Sequence, residues 1–382
     1  MSSATGFPKH EISLEVEGAK ITGFSTYEIE TSMLENADRF HVSIPFEREV
    51  WDLVLPDREV RVKIDDVTII RGFIDERLIP EGDEVIEILG RCRRGRLVDE
   101  SCPSFNFSGL ELFELVKRAA DPWFTNIVPT NARNRKVIRG RGKKARAGGE
   151  PLKLNTGKKI GTRIEPGQTR AQVITELCKE AGYLWWTSGD GNELIIGRPN
   201  YDQEPQFEFT LPKSGADGAT STVMGIGIRH AVTERYSRVI VVGSGQGTDA
   251  NYGASVASRY GDAKNNPATT DGEGRDFLRP KRLIVVRSVG SIAGARELAQ
   301  REMAQRDAHA FALTVLAQGH GQVVGGSQPT IFVPDTQSLV SDERTDVDGL
   351  WLIVGCTYRS ARDGAEQTSM QLVRSGSELV ST

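Results

Sequence analysis

Alternation of apolar and polar residues with a period of two fills the first hundred positions. The stretches from Ile12 to Val16, Tyr27 to Glu30, Phe40 to Ile44, Val60 to Ile64, Ile69 to Ile74 and Val85 to Leu89 each place one face on a core and one in water. Such short strands with turns between them predict a barrel or sandwich. After Cys102 and Pro103 the period changes. Ser108 and Glu111 have the spacing of a capping box ahead of a helix carrying Leu112, Phe113, Leu115, Val116, Ala119 and Ala120, stopped at Asp121 and Pro122. A second box, Thr169 and Gln172, precedes a helix that buries Val173, Ile174 and Leu177 and ends at Gly182. Strands are expected from Tyr183 to Trp186 and from Glu193 to Ile196, around a turn at Asp190 and Gly191.

Strand character returns over residues 223–243, with a β-branched run from Arg238 to Gly243. Residues 244–280 are rich in Gly, Ala, Asn and Asp and read as a long loop or excursion. A strand from Arg282 to Val286 and a helix from about Ile292 to His309 follow, the helix with Ile292, Ala295, Leu298, Ala299 and Met303 on one stripe. From Phe311 to Val373 the chain is β again. The expected fold class is therefore mainly β with α+β insertions. The domains expected are a first β-barrel over 10–103, an α+β helix-hairpin domain over 104–205, a second barrel split between 206–243 and 311–376, and an inserted loop and helix at 244–310.

One pattern occurs twice. Pro56 and Asp57 lead into the strand from Val60 to Ile64, a turn at Asp65 and Asp66, and Ile69 to Ile74 with Gly72. Pro334 and Asp335 lead, past a short insertion, to an expected turn at Asp348 and Gly349 and to Leu352 to Tyr358 with Gly355. Each copy continues through an Arg (Arg77, Arg359) and a Gly turn (Gly82, Gly364) into another strand. The two copies, each with its glycine, predict two barrels related by a pseudo-twofold duplication. A chain with two similar β-units could make six such units from three copies, which points to a structural hub rather than a catalyst.

Composition narrows the function. The chain has 382 residues, 26% of them charged, with a net charge of −4, so the molecule as a whole does not advertise binding to nucleic acid or anionic membrane. Its 40 glycines suit many tight turns. Cys92, Cys102, Cys178 and Cys356 form no C-x-x-C pair and are expected to be reduced and partly buried. Met1 to Lys9 holds no apolar core segment and no run approaches a membrane span, so synthesis and folding in a cytosol are expected, with no membrane insertion.

Candidate chemistry is sparse. His10, His41, His230, His309 and His320 include no pair four residues apart; His41 is expected to be a satisfied strand histidine and His320, between two glycines, an exposed turn histidine. Neither a nucleophile elbow nor a phosphate-binding loop occurs, and Gly243 to Gly247 only superficially resembles one. No catalytic, cofactor or metal residue is assigned. The outlier is a basic run of Arg133, Arg135, Lys136, Arg139, Arg141, Lys143, Lys144 and Arg146, a solvated loop or a contact for DNA or an acidic partner; no aromatics interleave to stack bases. Trp185 and Trp186 are expected to split across a strand, one ring inward and one outward; Trp123 and Trp351 are expected in a core or subunit contact, and Trp51 could sit at an interface.

The order of these segments resembles the baseplate hub proteins of contractile-tailed, Mu-like bacteriophages, the tail protein P and late control D group, and the base of type VI secretion spike proteins. The resemblance rests on Tyr27 to Leu34 and Ala37 to Phe40, the hairpin from Val60 to Gly72, the step from Leu89 to Asp99, the helix and hairpin from Thr169 to Ile196, and the closing hairpin from Gly349 to Leu372. It covers about residues 11–376 and departs at the basic run and at 244–280. It implies a homotrimeric, pseudo-sixfold ring in the virion baseplate, joining a sixfold tail tube to a threefold spike. Tube, spike and other baseplate proteins are the implied neighbours, with DNA and a tape-measure protein passing through. A cell-wall hydrolase, or a carbohydrate-binding tail component using Trp123, Trp185 and Trp186, is the alternative.

Overall fold

The alternating segments become strands. A computed structural model describes residues 10–104, 110–130, 164–213, 221–243 (other than 232, 234 and 235), 259–264, 282–286, 292–323, 329–360 and 366–379 (other than 378). The chain divides into two compact units, one of residues 1–227 with 313–375 and one of residues 228–312 with 376–382.

The first unit opens with strands β1 (Ile12–Val16), β2 (Ala19–Ile21), β3 (Thr26–Ser32) and β4 (Arg39–Pro45), then helix α1 (Arg48–Leu53). Strands β5 (Glu59–Ile64), β6 (Val67–Leu78) and β7 (Val85–Cys92) form a meander, followed by α2 (Arg94–Asp99). Asp65 and Asp66 both take left-handed φ angles of 48° and 66°, the backbone a two-residue hairpin requires. Next come α3 (Leu112–Ala120), β8 (Ile127–Pro129), α4 (Arg170–Ala181), β9 (Leu184–Thr187) and β10 (Leu194–Gly197), then β11 (Phe207–Leu211) and β12 (Gly225–His230). The second unit contributes β13 (Arg238–Gly243), β14 (Arg259–Lys264), β15 (Arg282–Val286) and α5 (Ile292–Ala310). The chain then completes the first unit with β16 (Phe311–Gln318), β17 (Gly321–Val323), β18 (Pro329–Ile331), β19 (Thr336–Asp342), β20 (Val347–Ser360) and β21 (Glu366–Arg374).

Hydrogen bonding joins the early and late strands into a single 13-stranded sheet. Its order is β12-β16-β21-β20-β3-β4-β7-β6-β5-β1-β2, with β19 also on β20 and β11 on β19. The two expected barrels are therefore not separate closed sheets among the described residues. The reason is β3, which pairs with β4 on one edge and gives its other edge to β20, from Tyr27 opposite Ser360 to Ser32 opposite Gly355.

The helix-hairpin region stacks α3 and α4 on the three-stranded sheet β8-β10-β9. Its core holds Leu97, Leu115, Val116, Ile174, Leu177, Cys178, Trp185 and Ile196. The Thr169 box forms as expected: its hydroxyl accepts from the Gln172 amide, the Gln172 side chain reaches back, and Gly182 closes the helix at φ 78°. Glu111 is the N-cap of α3 in extended conformation and makes no side-chain cap, one turn later than the spacing implied; Ser108 lies outside the described residues.

In the second unit β13 pairs antiparallel with β14 and parallel with β15, and α5 buries Ala295, Ala299 and Met303 against Val239, Val241 and Ala263. Ile292, expected on that stripe, is 58% exposed in the first turn. The expected long loop over 244–280 is interrupted by β14. Its Gly261 lets the helix approach: a Cβ there would sit 2.1 Å from the Ala295 carbonyl carbon. No described helix is long and apolar enough to cross a membrane.

Candidate functional site: repeated meanders, open edges and a buried histidine clasp

The doubled motif has a matching geometry. Asp57 and Asp335 both sit at left-handed φ, 73° and 62°. The Asp57 amide donates to Ile74 O at 2.8 Å, and the Asp335 amide to Ile353 O at 2.9 Å. One residue later each long strand bulges: the register slips between Ile74 and Glu76 in β6, and between Ile353 and Gly355 in β20. A bulge bends and twists a strand at one point, so the same bulge after the same Asp turn gives both meanders the same kink. The equivalence is Ile74 with Ile353 and the bulge residue Asp75 with Val354. Gly72 and Gly355, the glycine quoted in each copy, are therefore not equivalent positions. The late turn also moves: it spans residues 343–346, with Asp346 at φ 55°, while Asp348 and Gly349 lie inside β20 opposite Ser341 and Val340.

Neighbouring strands follow the same rule. β4 lies on β7 with Phe40 opposite Gly90, and β16 lies on β21 with Leu313 opposite Leu372. Gly90 and Leu372 are themselves the partners of Ile74 and Ile353. β3 and β12 occupy the next place outward. In the early half β3 and β4 are joined by a short turn; in the late half the second unit lies between β12 and β16 in the chain.

Charged anchors hold the early half. Arg94 is 1% exposed at its side chain, donates to Glu35 O, Ser32 O and Asp38 Oδ1 at 2.7–2.9 Å, and so ties down the β3–β4 turn. Burial works against its charge, and the Asp38 carboxylate outweighs that, leaving it firmly protonated. Arg91 makes bidentate bonds to the bulge residue Asp75 and to Asp99 of α2. Arg170 bonds Glu100 and covers the last carbonyls of α3 at Ala119 and Asp121. Arg91 and Asp99 stand in the Leu89 to Asp99 step on which the resemblance rests, without a role being read for them, whereas Arg94 and Arg170 were missed; Arg91 lies at the end of β7, Arg94 opens α2 and Arg170 opens α4.

Where early and late strands meet, polar groups are buried. His320, expected at an exposed turn, is fully buried. Gly319, at φ 73°, turns the chain so that the ring points inward. Thr368 donates its hydroxyl to Gly319 O at 2.7 Å, so its oxygen accepts from His320 Nδ1 at 2.9 Å. That tautomer leaves Nε2 to accept from the Tyr27 hydroxyl at 2.5 Å. Burial, then the neighbouring His10, hold His320 down at about 3, and burial raises the Tyr27 hydroxyl, so both are neutral. The His10 ring lies 5.3 Å from His320, its Nδ1 2.5 Å from Asp65 Oδ2, and its amide donates to Glu366. β1, β3 and β5 are thereby linked to β16 and β21. The groups match an acid–base set only in composition: the imidazole of His320 is sealed and its two nitrogens are committed.

The other expectations separate as follows. His41 is on the outer face of β4, about half exposed, its Nε2 3.4 Å from Glu87. His230 meets the edge of Phe311. All four cysteines are free; Cys92, Cys178 and Cys356 are buried, and burial pushes the Cys92 thiol up to about 11 and Cys356 to about 12. Trp185 and Trp186 do face opposite ways, but both are buried, one in the helix-hairpin core and the other against Met33 and Ile195, because both faces of β9 are covered. Trp123 packs edge-on against Phe73, Trp351 is buried, and Trp51 lies under the Arg77 guanidinium. No sugar platform forms from Trp185 and Trp186. The eight cations from Arg133 to Arg146 lie outside the described residues. Among the described residues no group of three or more His, Cys, Asp or Glu is placed to hold a metal.

Comparison with known proteins agrees with this architecture. Residues 11–91, which hold β1 to β7, match the family described as Mu phage baseplate assembly protein GpP-like, N-terminal. The fold is similar to that of a tail protein from Neisseria meningitidis MC58, with a TM-score of 0.74 and 20% identity over 98% of this chain and all of the other. It is similar also to the 43 kDa tail protein of prophage MuSo2 from Shewanella oneidensis, with a TM-score of 0.70 and 19% identity over 96% and 98% of the two chains. A more distant likeness, TM-score 0.52 and 12% identity over 97% of this chain and 78% of the other, is to an Escherichia coli component of the type VI secretion system described as similar to the T4 tail proteins gp27 and gp5. No curated protein matches the sequence.

Proposed function

We propose that this chain is the hub subunit of a contractile phage tail baseplate, a structural part of the virion without bond chemistry of its own. Three copies close into a ring in which each chain supplies two related β-halves, giving six similar units over three chains. The ring joins a sixfold tail tube to a threefold spike and leaves a central passage for DNA and a tape-measure protein. The observation that carries this reading is the repeated meander, with its Asp turn and bulge at equivalent places, 278 residues apart at Asp57 and Asp335 (335 − 57). The match of residues 11–91 to a baseplate family and the tail-protein fold of the whole chain support it. In this role Arg133, Arg135, Lys136, Arg139, Arg141, Lys143, Lys144 and Arg146 contact DNA or an acidic neighbour.

Light scattering across a concentration series, with negative-stain imaging of the same fractions, tests the proposal. A species of three chain masses with six lobes around a hole is expected. A monomer or dimer at every concentration would end the ring reading.

A further inference from the structure

The contact between the two halves inside one chain specifies how neighbouring chains join. The early half presents the outer edge of β3, and the late half receives it on β20 beyond the bulge, from Gly355 to Ser360. The joint is head-to-tail: different edges of two similar units meet. Repeating such a joint builds a ring when the rotation closes and an open filament when it does not.

Each half has both edges, and one of each is left open. β12 is the late counterpart of β3 and ends the sheet, with no further strand on it among the described residues. β6 is the early counterpart of β20. Beyond its bulge it pairs with β7 on one side, while β5 reaches only to Phe73 on the other. Residues Glu76 to Ile79 therefore offer the same edge that β20 offers to β3. The far end of the sheet is different: β2 has three residues and carries Lys20, paired with Glu11 and Asp66, the kind of edge that resists strand addition. Among the described residues neither β12 nor the end of β6 carries a further strand there, although Arg344 donates to Ile226 O of β12 at 3.0 Å and Arg77 of β6 donates to Trp51 O; exposed apolar residues mark both. Met224, just before β12, is 51% exposed and Ile79 is 42% exposed.

We infer that β12 of one copy adds to the edge of β6 at Glu76–Ile79 of the next copy, an antiparallel joint that repeats the β3–β20 joint within each chain. The proposal rests on the ring reading above and names the contact that closes it. The register follows from the bulge. Ile353 corresponds to Ile74, so Thr357 and Tyr358 correspond to Leu78 and Ile79. The buried residues Tyr27 and Ile29 of β3 correspond to Ile226 of β12, which is buried, and to Ile228, which is half-buried. Since Tyr358 lies opposite Ile29 and Thr357 opposite Glu30, Ile228 falls opposite Ile79 and Arg229 opposite Leu78. Arg229 is then diagonal to exposed Glu76 on the same face, a pairing of opposite charges, as Arg359 and Glu28 pair at 2.8 Å in the joint within the chain.

Paired cysteines test it. Chains carrying Ile228→Cys with Ile79→Cys, or Arg229→Cys with Leu78→Cys, are oxidised mildly and run on non-reducing gels, with each single variant as control. Covalent trimers are expected from at least one double variant and none from the singles. A trimer by light scattering in which neither pair cross-links, or an intrachain disulfide running as monomer, would overturn the edge joint and leave the ring standing. Absence of any trimer would remove both. Amide exchange on the unmodified chain guards against folding defects in the variants: residues 76–79 and β12 should exchange more slowly in the trimer than in dilute monomer, and equal rates in a verified trimer also overturn the joint.

Discussion

A single buried imidazole carries a measurable share of acid sensitivity. Folded His320 refuses a proton until about pH 3, whereas the unfolded chain takes one up near the ordinary value of 6.5. The folded-state value is the lower one, so its stabilisation is complete above about pH 6.5 and is lost as pH falls from there toward 3, by up to about 1.4 kcal/mol per pH unit. Urea unfolding at about pH 6.5 and about pH 4.5 should show that slope, and His320→Gln should flatten it even while lowering stability at neutral pH. An unchanged acid slope in the variant would assign it elsewhere. This residue was not legible in the sequence. Two flanking glycines suggest exposure, and only the partners Tyr27 and Thr368, 293 and 48 residues away, make burial tolerable. Arg94 was hidden in the same way, since a lone arginine gives no sign of the Asp38 that will meet it.

At the scale of elements, local signals were reliable where the chain satisfies itself. The Thr169–Gln172 box, Gly182 and the Asp65–Asp66 hairpin lie within a few residues of the groups they serve, and each forms as read. Thr169→Ala should cost about 1 kcal/mol and speed amide exchange in the first turn of α4; no change would mean the turn is held by its tertiary contacts instead. The start of α3 was less legible: Ser108 lies outside the described residues, Glu111 is the N-cap, and the helix begins where Leu112 and Leu115 can both reach the core. Register was the harder property. The sequence shows a glycine in each meander but no register between them; bulges and Asp turns align them on Ile74 and Ile353. A bulge adds a residue to one strand alone, so it becomes visible only once the partner strand is known.

For the molecule as a whole, the mainly β character was legible and the single sheet was not. Period-two alternation tells which face of a strand is buried but not which strand lies beside it, so β3 could not be seen leaving its own half for β20. The repeat also makes sense of where the second unit enters. The early half closes β3 to β4 with the short turn that Arg94 holds, and the late half has residues 231–310 between the equivalent strands. Entry and exit lie together, the Ala231 amide donating to Ala310 O at 2.8 Å. Replacing residues 232–309 by a short Gly-containing turn should therefore leave the first unit folded, with the near-ultraviolet spectrum and cooperative unfolding of its core intact. Loss of cooperative unfolding would show that the sheet depends on the unit carried there.

The asymmetry of the β3–β20 joint reaches beyond the single chain. A closed assembly that repeats it has a rotation axis but no perpendicular twofolds, because no operation exchanges the giving edge with the receiving one. Its top and underside are thus built from different residues and cannot be interchanged by turning it over. A disc of that kind can hold one neighbour above and an unrelated one below, and it fixes which way up each must stand.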